Sequence, residues 1–162
     1  MNVNEAIASI QRSLDEIVAM AKGLPEAVLH WKAAEDRWSV LEVLCHVEEA
    51  IPYWLEEIER LVRSPGVEWG RGLQDERRLA AVAGAGSRSL GEVLAGIEQS
   101  KRQVQDVLGP LTAEQLERES PSRNPRFGIK PLAFVIEHLL VEHAAKHAGQ
   151  IARNVEQFKQ AQ

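Results

Sequence analysis

Apolar residues recur along this chain at steps of three and four. Val3, Ile7, Ile10, Leu14, Ile17, Ala21 and Leu24 share one helix face. Asn2 with Glu5 three residues on is an N-terminal capping signal, and Pro25 marks the stop. Pro25 to Trp38 reads as a connector with room for a short helical turn. Ser39 and Glu42 form a capping box ahead of the second apolar run. There Leu44, Val47, Ile51, Trp54, Leu55, Ile58 and Leu61 supply the inward stripe of a helix reaching roughly Arg63. Pro52 lies inside it, and because the stripe continues on the same face a kink is expected rather than an end.

Ser64-Pro65-Gly66 breaks the pattern. Trp69 and Gly70 read as loop, and Gln74 to Val82 is compatible with a short helix. Ser89 with Glu92 is a third capping box, after which Leu90, Leu94, Ile97, Val104 and Leu108 continue helically to Gly109-Pro110. Lys101 interrupts that stripe, with a stem long enough to lie along the core edge while its charge stays in water. Ser120 to Lys130 reads as loop, and Pro131 fits the first position of the last helix. Leu132, Ile136, Leu139, Leu140, Ile151, Val155 and Phe158 mark that helix's buried face. No stretch alternates with period two, so no strand is expected. The pattern predicts an all-α, single-domain four-helix bundle over residues 1–162, with a long irregular connection between the second and third long helices.

Composition narrows the function. A chain of 162 residues, 44% hydrophobic and 27% charged, suits one domain with its own core. With 24 acidic against 19 basic residues and a net charge of −5, it lacks the basic excess of a nucleic-acid binder. A single cysteine, Cys45, excludes an internal disulfide and a four-cysteine zinc site. No apolar run is long enough to span a membrane, and the N-terminus carries no secretion signal. The expectation is a cytoplasmic domain with a reduced thiol.

Histidines supply the candidate chemistry. In the last helix the stripe runs Ile136, Leu140, His143, His147, Ile151, with imidazoles where a bundle core expects leucine or alanine. Two rings one turn apart, with Cβ atoms about 6 Å apart, project together toward one ion. His46 is the best third candidate, because Val43, Val47, Ala50 and Trp54 put it on or beside the inward face of the second helix. Three imidazoles from two helices leave at least one coordination position open, as catalytic rather than structural sites do. The alternative is a set of core histidines hydrogen-bonded to their neighbours.

Trp38-Ser39-Val40-Leu41-Glu42-Val43-Leu44-Cys45-His46 resembles the second-helix signature of the DinB-like family. Glu142-His143-Ala144-Ala145-Lys146-His147-Ala148-Gly149-Gln150-Ile151 resembles its fourth-helix signature, a His-x-x-x-His followed by Gln-Ile. The resemblance covers nearly the whole chain in helix order and length. It implies a divalent metal held by three histidines, mapping onto His46, His143 and His147, and homodimerisation through outer helix faces. It also implies, as in some members, transferase or isomerase chemistry on a small-molecule substrate with a low-molecular-weight thiol. Zinc or nickel is the expected metal, and imidazole ligands suit iron and copper as well. Two other readings stay open: a non-catalytic metal-binding or stress-response protein, and a metal-dependent hydrolase, which would need a general base.

The remaining candidates are weaker. Cys45 reads as a small core residue, His138 as outer surface or hydrogen-bonded, Glu142 as solvated, and His30 without a role. Gln150 suits equally well a support for a metal ligand or an exposed position. Trp38 is expected to pack where the second helix enters, and Trp54 to be core rather than cavity wall. Arg71, Arg77, Arg78 and Arg88, like Arg123 and Arg126, read as a solvated face, with anion binding as the alternative. A carboxylate such as Glu49 completing the ligand set would favour a structural metal over a catalytic one.

Overall fold

In a computed structural model that describes all residues from Met1 to Gln162, the apolar stripes become α1 (Val3–Ala21), α3 (Val40–Arg63), α5 (Leu90–Leu108) and a long last helix. That last helix comprises α7 (Leu132–Ile136), a π-helical turn (Glu137–Glu142) and α8 (His143–Gln160). Short helices α2 (Glu26–His30), α4 (Glu76–Ala83) and α6 (Ala113–Glu117) lie in the connections. Of the expected starts, Ser39 and Glu42 exchange both bonds of a capping box, while Asn2 accepts from the Glu5 amide with no return bond from the Glu5 side chain. At Ser89 only the hydroxyl half forms, because the Glu92 carboxylate lies toward Arg88 instead, at 3.9 Å. Pro131 stands one place outside the last helix, whose first residue is Leu132.

The stripes meet in one core. Ile10, Leu14 and Ile17 of α1, Leu44, Ile51 and Ile58 of α3, Ile97 and Leu108 of α5, and Ile136, Leu140 and Ile151 of the last helix are all buried. Each such side chain contributes about 1.5–3 kcal/mol on removal from water. Lys101 sits at the core edge with its ammonium paired to Asp15 and Glu98. α1 packs against α5 and α8, and so does α3, so α1 and α3 stand diagonally opposite although they follow one another in the chain. The connector carrying α2 is long enough to make that crossing. The arrangement sets α3 beside α8, which brings the two histidine-bearing helices together.

One expectation about the fold is overturned. β1 (Glu119–Pro121) and β2 (Ile129–Pro131) pair antiparallel, with Ser120 opposite Lys130. Strands of three residues are too short to display an alternation, and nothing local announces them. They are held to the bundle by Trp69, which is 0% exposed. Its indole donates to Ser120 O at 2.9 Å and its amide to Pro121 O at 3.0 Å, while Arg123 N donates to Trp69 O at 2.8 Å. Gly70 follows with φ +91°, and a Cβ there would stand 3.5 Å from the Trp54 ring. The Glu57 carboxylate accepts from Gly70 N, Arg60, Tyr53 and Arg123, fixing this loop to α3. Burial pushes the Glu57 carboxyl up, but the Arg60 and Gly70 hydrogen bonds and the Arg60 and Arg123 charges hold it below the ordinary glutamate range.

Candidate metal centre

His46 reaches the bundle interior because it shares the buried face of α3 with Val43 and Ala50, and the residue is 2% exposed. His143 and His147 stand one turn apart on α8. All three rings converge. His143 Nε2 lies 3.2 Å from His46 Nε2 and 2.8 Å from His147 Nε2, and the three donor atoms fall within 4.8 Å of one another. Two ligands on one tetrahedral ion at 2.0–2.1 Å would be about 3.3 Å apart, so the spacing is that of a shared cation.

The proton positions fit the same reading. His147 Nδ1 donates to Gln150 Oε1 at 2.8 Å, which leaves its Nε2 with a bare lone pair facing His143. His46 Nδ1 and His143 Nδ1 are buried and meet no acceptor, each a cost of about 1–3 kcal/mol without compensation. Three Nε2 atoms facing one another at about ligand–ligand spacing fit a donor set for a metal.

Burial holds all three rings neutral. It lowers His46 to about 2, with further lowering by His147 and His143 and then by Arg78 and Arg71. It lowers His143 to about 3, aided by His147, Lys146 and the arginines. His147 falls to about 4, because its bond to Gln150 opposes the burial and the nearby Lys146 and Arg78 charges. Neutral imidazole is the ligating form.

The rings open onto a cavity of about 260 Å³. Trp38 covers the other side, its ring tilted over His46 at 5.1 Å and stacked near His147 at 6.5 Å, so it is a wall of the centre as well as an entry residue of α3. Asn154 holds it there, donating to Trp38 O at 2.8 Å. Trp54 is buried in the core and also lines the cavity. No carboxylate joins the histidines. Glu49, the carboxylate considered from the sequence, is bound to Arg71 at 2.7 Å. Cys45 is buried among core residues, its thiol pushed up to about 11 mainly by that burial.

His138 is where the reading from spacing fails in part. It is hydrogen-bonded, its Nδ1 3.0 Å from the Glu142 carboxylate, but it lines the cavity together with His143. At 100° per residue, positions five apart diverge. The π-helical turn closes i to i+5 bonds, so residues five apart come close to one face. Phe134 stacks on the ring at 5.2 Å and Phe127 meets its edge at 5.3 Å. Of the arginines, Arg71 pairs with Glu49 and Asp75, Arg88 with Glu48, and Arg123 with Glu57. Arg78 and Arg126 line the cavity without a carboxylate partner.

A family model described as the DinB superfamily matches residues 9–151. Among solved structures, YfiT from Bacillus subtilis, described as a probable metal-dependent hydrolase with an unusual four-helix bundle topology, superposes with a TM-score of 0.84 at 14% identity. The match covers 97% of this chain and 87% of that one. An uncharacterized protein from Clostridium difficile 630 superposes with a TM-score of 0.70 at 16% identity, over 94% of this chain and 95% of that one. Among curated proteins no relative matches by sequence. At these identities the two structures show a shared fold.

Proposed function

The chain belongs to the DinB superfamily, and from that premise we propose that it is a metal-dependent enzyme whose ion is held by His46, His143 and His147. The observation that carries this is the convergence of three neutral imidazoles from two helices onto a cavity wall with no carboxylate joining them. Three protein ligands leave a position for a reactant, and zinc or nickel suits the donors. A dication among neutral ligands keeps its whole charge, and so supplies Lewis-acid polarisation and a lowered pKa for a coordinated nucleophile.

The chain's own residues do the rest. Gln150 orients His147 by accepting its Nδ1 proton. Trp38 covers one side of the His46 and His147 rings. His138, with Nδ1 donating to Glu142, has Nε2 left to accept a proton from the nucleophile and return it to a leaving group. This supplies the general base that hydrolysis needs, and hydrolysis is the reading we put first. YfiT's description as a probable metal-dependent hydrolase supports it.

A second reading takes a low-molecular-weight thiol as nucleophile in an S-transfer. Arg78 and Lys146 beside the histidines favour it, since neighbouring cations promote the thiolate. The thiol would be a cosubstrate, because Cys45 is buried away from the cavity.

Elemental analysis of tag-free protein tests the shared premise. Wild type should carry close to one divalent ion per chain and His143→Ala should lose it; equal content in both would remove the assignment. Assays of ester and amide hydrolysis, beside thiol conjugation to a chloro-dinitro arene, separate the two readings. Replacing His138 by Gln should lower hydrolysis by about 10²-fold or more without releasing metal.

A further inference from the structure

The charge of this cavity opposes that of the molecule. The chain carries a net charge of −5, yet Arg71, Arg78, Arg126 and Lys146 line the cavity over the three histidines and no aspartate or glutamate does. Arg71 is answered by Glu49 and Asp75. The other three form no ion pair: Arg78 donates to Leu73 O at 3.0 Å and lies over Trp38 at 5.3 Å, and Arg126 lies over Phe127 at 5.6 Å. Arg78 is half-buried, and burial together with the Arg71 charge lowers its pKa, so its charge is held there at a cost. A second cavity of about 370 Å³ also has Arg78, Lys146 and His147 in its wall. Arg78 and Lys146 therefore stand between the two cavities, beside His147.

We propose that the substrate, or cosubstrate, of this site carries a carboxylate or phosphate group, and that Arg78 and Lys146 bind it, with Arg126 as a third cation. Arg78 offers the planar fork that matches either group, and Lys146 adds a mobile point charge. The anion neutralises cations that the fold leaves unpaired, and focusing by the cavity walls draws it in despite the acidic surface. Anchoring the charged end beside the histidines would hold the reacting end within reach of them. The proposal rests on the metal-dependent reading for calling the cavity a substrate site, but the anion's binding is measurable without it.

Calorimetric titration of inorganic phosphate, and separately of succinate, into the protein as purified tests this, with its metal content measured alongside. The expected result is saturable binding that weakens with added salt and falls by about tenfold in Arg78→Gln and in Lys146→Gln, with metal content unchanged. The tighter of the two anions identifies the group. Arg78 packs on Trp38, so its variant is checked by thermal melting; Lys146 is exposed, and its variant decides by itself if the other does not fold. No binding of either anion by wild type overturns the proposal. So does binding that survives both substitutions, including binding lost only in His143→Ala, which would mean that the ion alone holds the anion. Binding that persists in His143→Ala and falls in the cation variants upholds it, even if elemental analysis finds no metal and the metal-dependent reading fails.

Discussion

A single hydrogen bond decides which nitrogen of His147 is left bare to face His143. Gln150 Oε1 accepts from Nδ1 at 2.8 Å, so the ring's lone pair stands at Nε2. Without that acceptor the ring could take the other tautomer or turn about its own axis. Gln150→Leu should therefore weaken metal binding by about 10–100-fold with little change in the metal-free melting temperature, read by competition with a chromophoric chelator. Unchanged affinity would mean that packing alone orients His147. From the chain, Gln150 could be placed one turn beyond His147, but whether its amide reached the ring depended on side-chain rotamers. Arg71 illustrates the same limit in reverse. Its charge was plain, and only its contact with Glu49 shows that it is already spoken for.

At the level of elements, what was legible was what is local. The Ser39–Glu42 box spans three residues and fixes the start of α3 by its own chemistry. Ser39→Ala should lower the melting temperature by about 2–4 °C, near 1 kcal/mol, while metal content stays at the wild-type value. A fall in metal content with the fold intact would show that the cap positions His46 and does more than stabilise its helix. The π-helical turn was not legible, because Glu137–Glu142 has no composition that marks a wider turn. It matters for the site: it brings His138 to the cavity face, where α-helical spacing had placed it elsewhere. β1 and β2 have no local signature for a related reason, since their pairing is stabilised by Trp69 from a distant part of the chain.

On the scale of the whole molecule, the cost of the site should appear in how stability depends on pH. Histidines titrate near 6.5 in the unfolded chain, whereas burial lowers the folded values to about 2, 3 and 4 for His46, His143 and His147. Above pH 6.5 both states are neutral at these rings, and their contribution is flat. As pH falls below 6.5 the unfolded state takes up protons first, so stability drops until the folded pKa values are reached. The slope is about 1.4 kcal/mol per pH unit for each ring. Metal-free protein should thus melt at progressively lower temperature from pH 6.5 to 4, with His143→Ala showing a shallower decline. An identical slope in both would mean that the rings are solvated in the native state. At neutral pH, a divalent ion at 100 times its dissociation constant should add about 2.7 kcal/mol, or roughly 5–10 °C.

Read by itself, the order of residues determined four amphipathic helices, one of their capping boxes in full and the presence of imidazoles in apolar stripes, because each is set by neighbours within about one helical turn. Only the tertiary structure decided which helices are neighbours. α3 lies beside α8, with α1 diagonal to α3, because burying the stripes in one core selects among packings that local spacing treats as equal. That choice brings His46 to His143 and His147, pairs Glu49 with Arg71, and leaves Arg78 and Lys146 unpaired at the cavity. Periodicity records which way a side chain points from its own axis; the distance to another helix is settled only when both are packed.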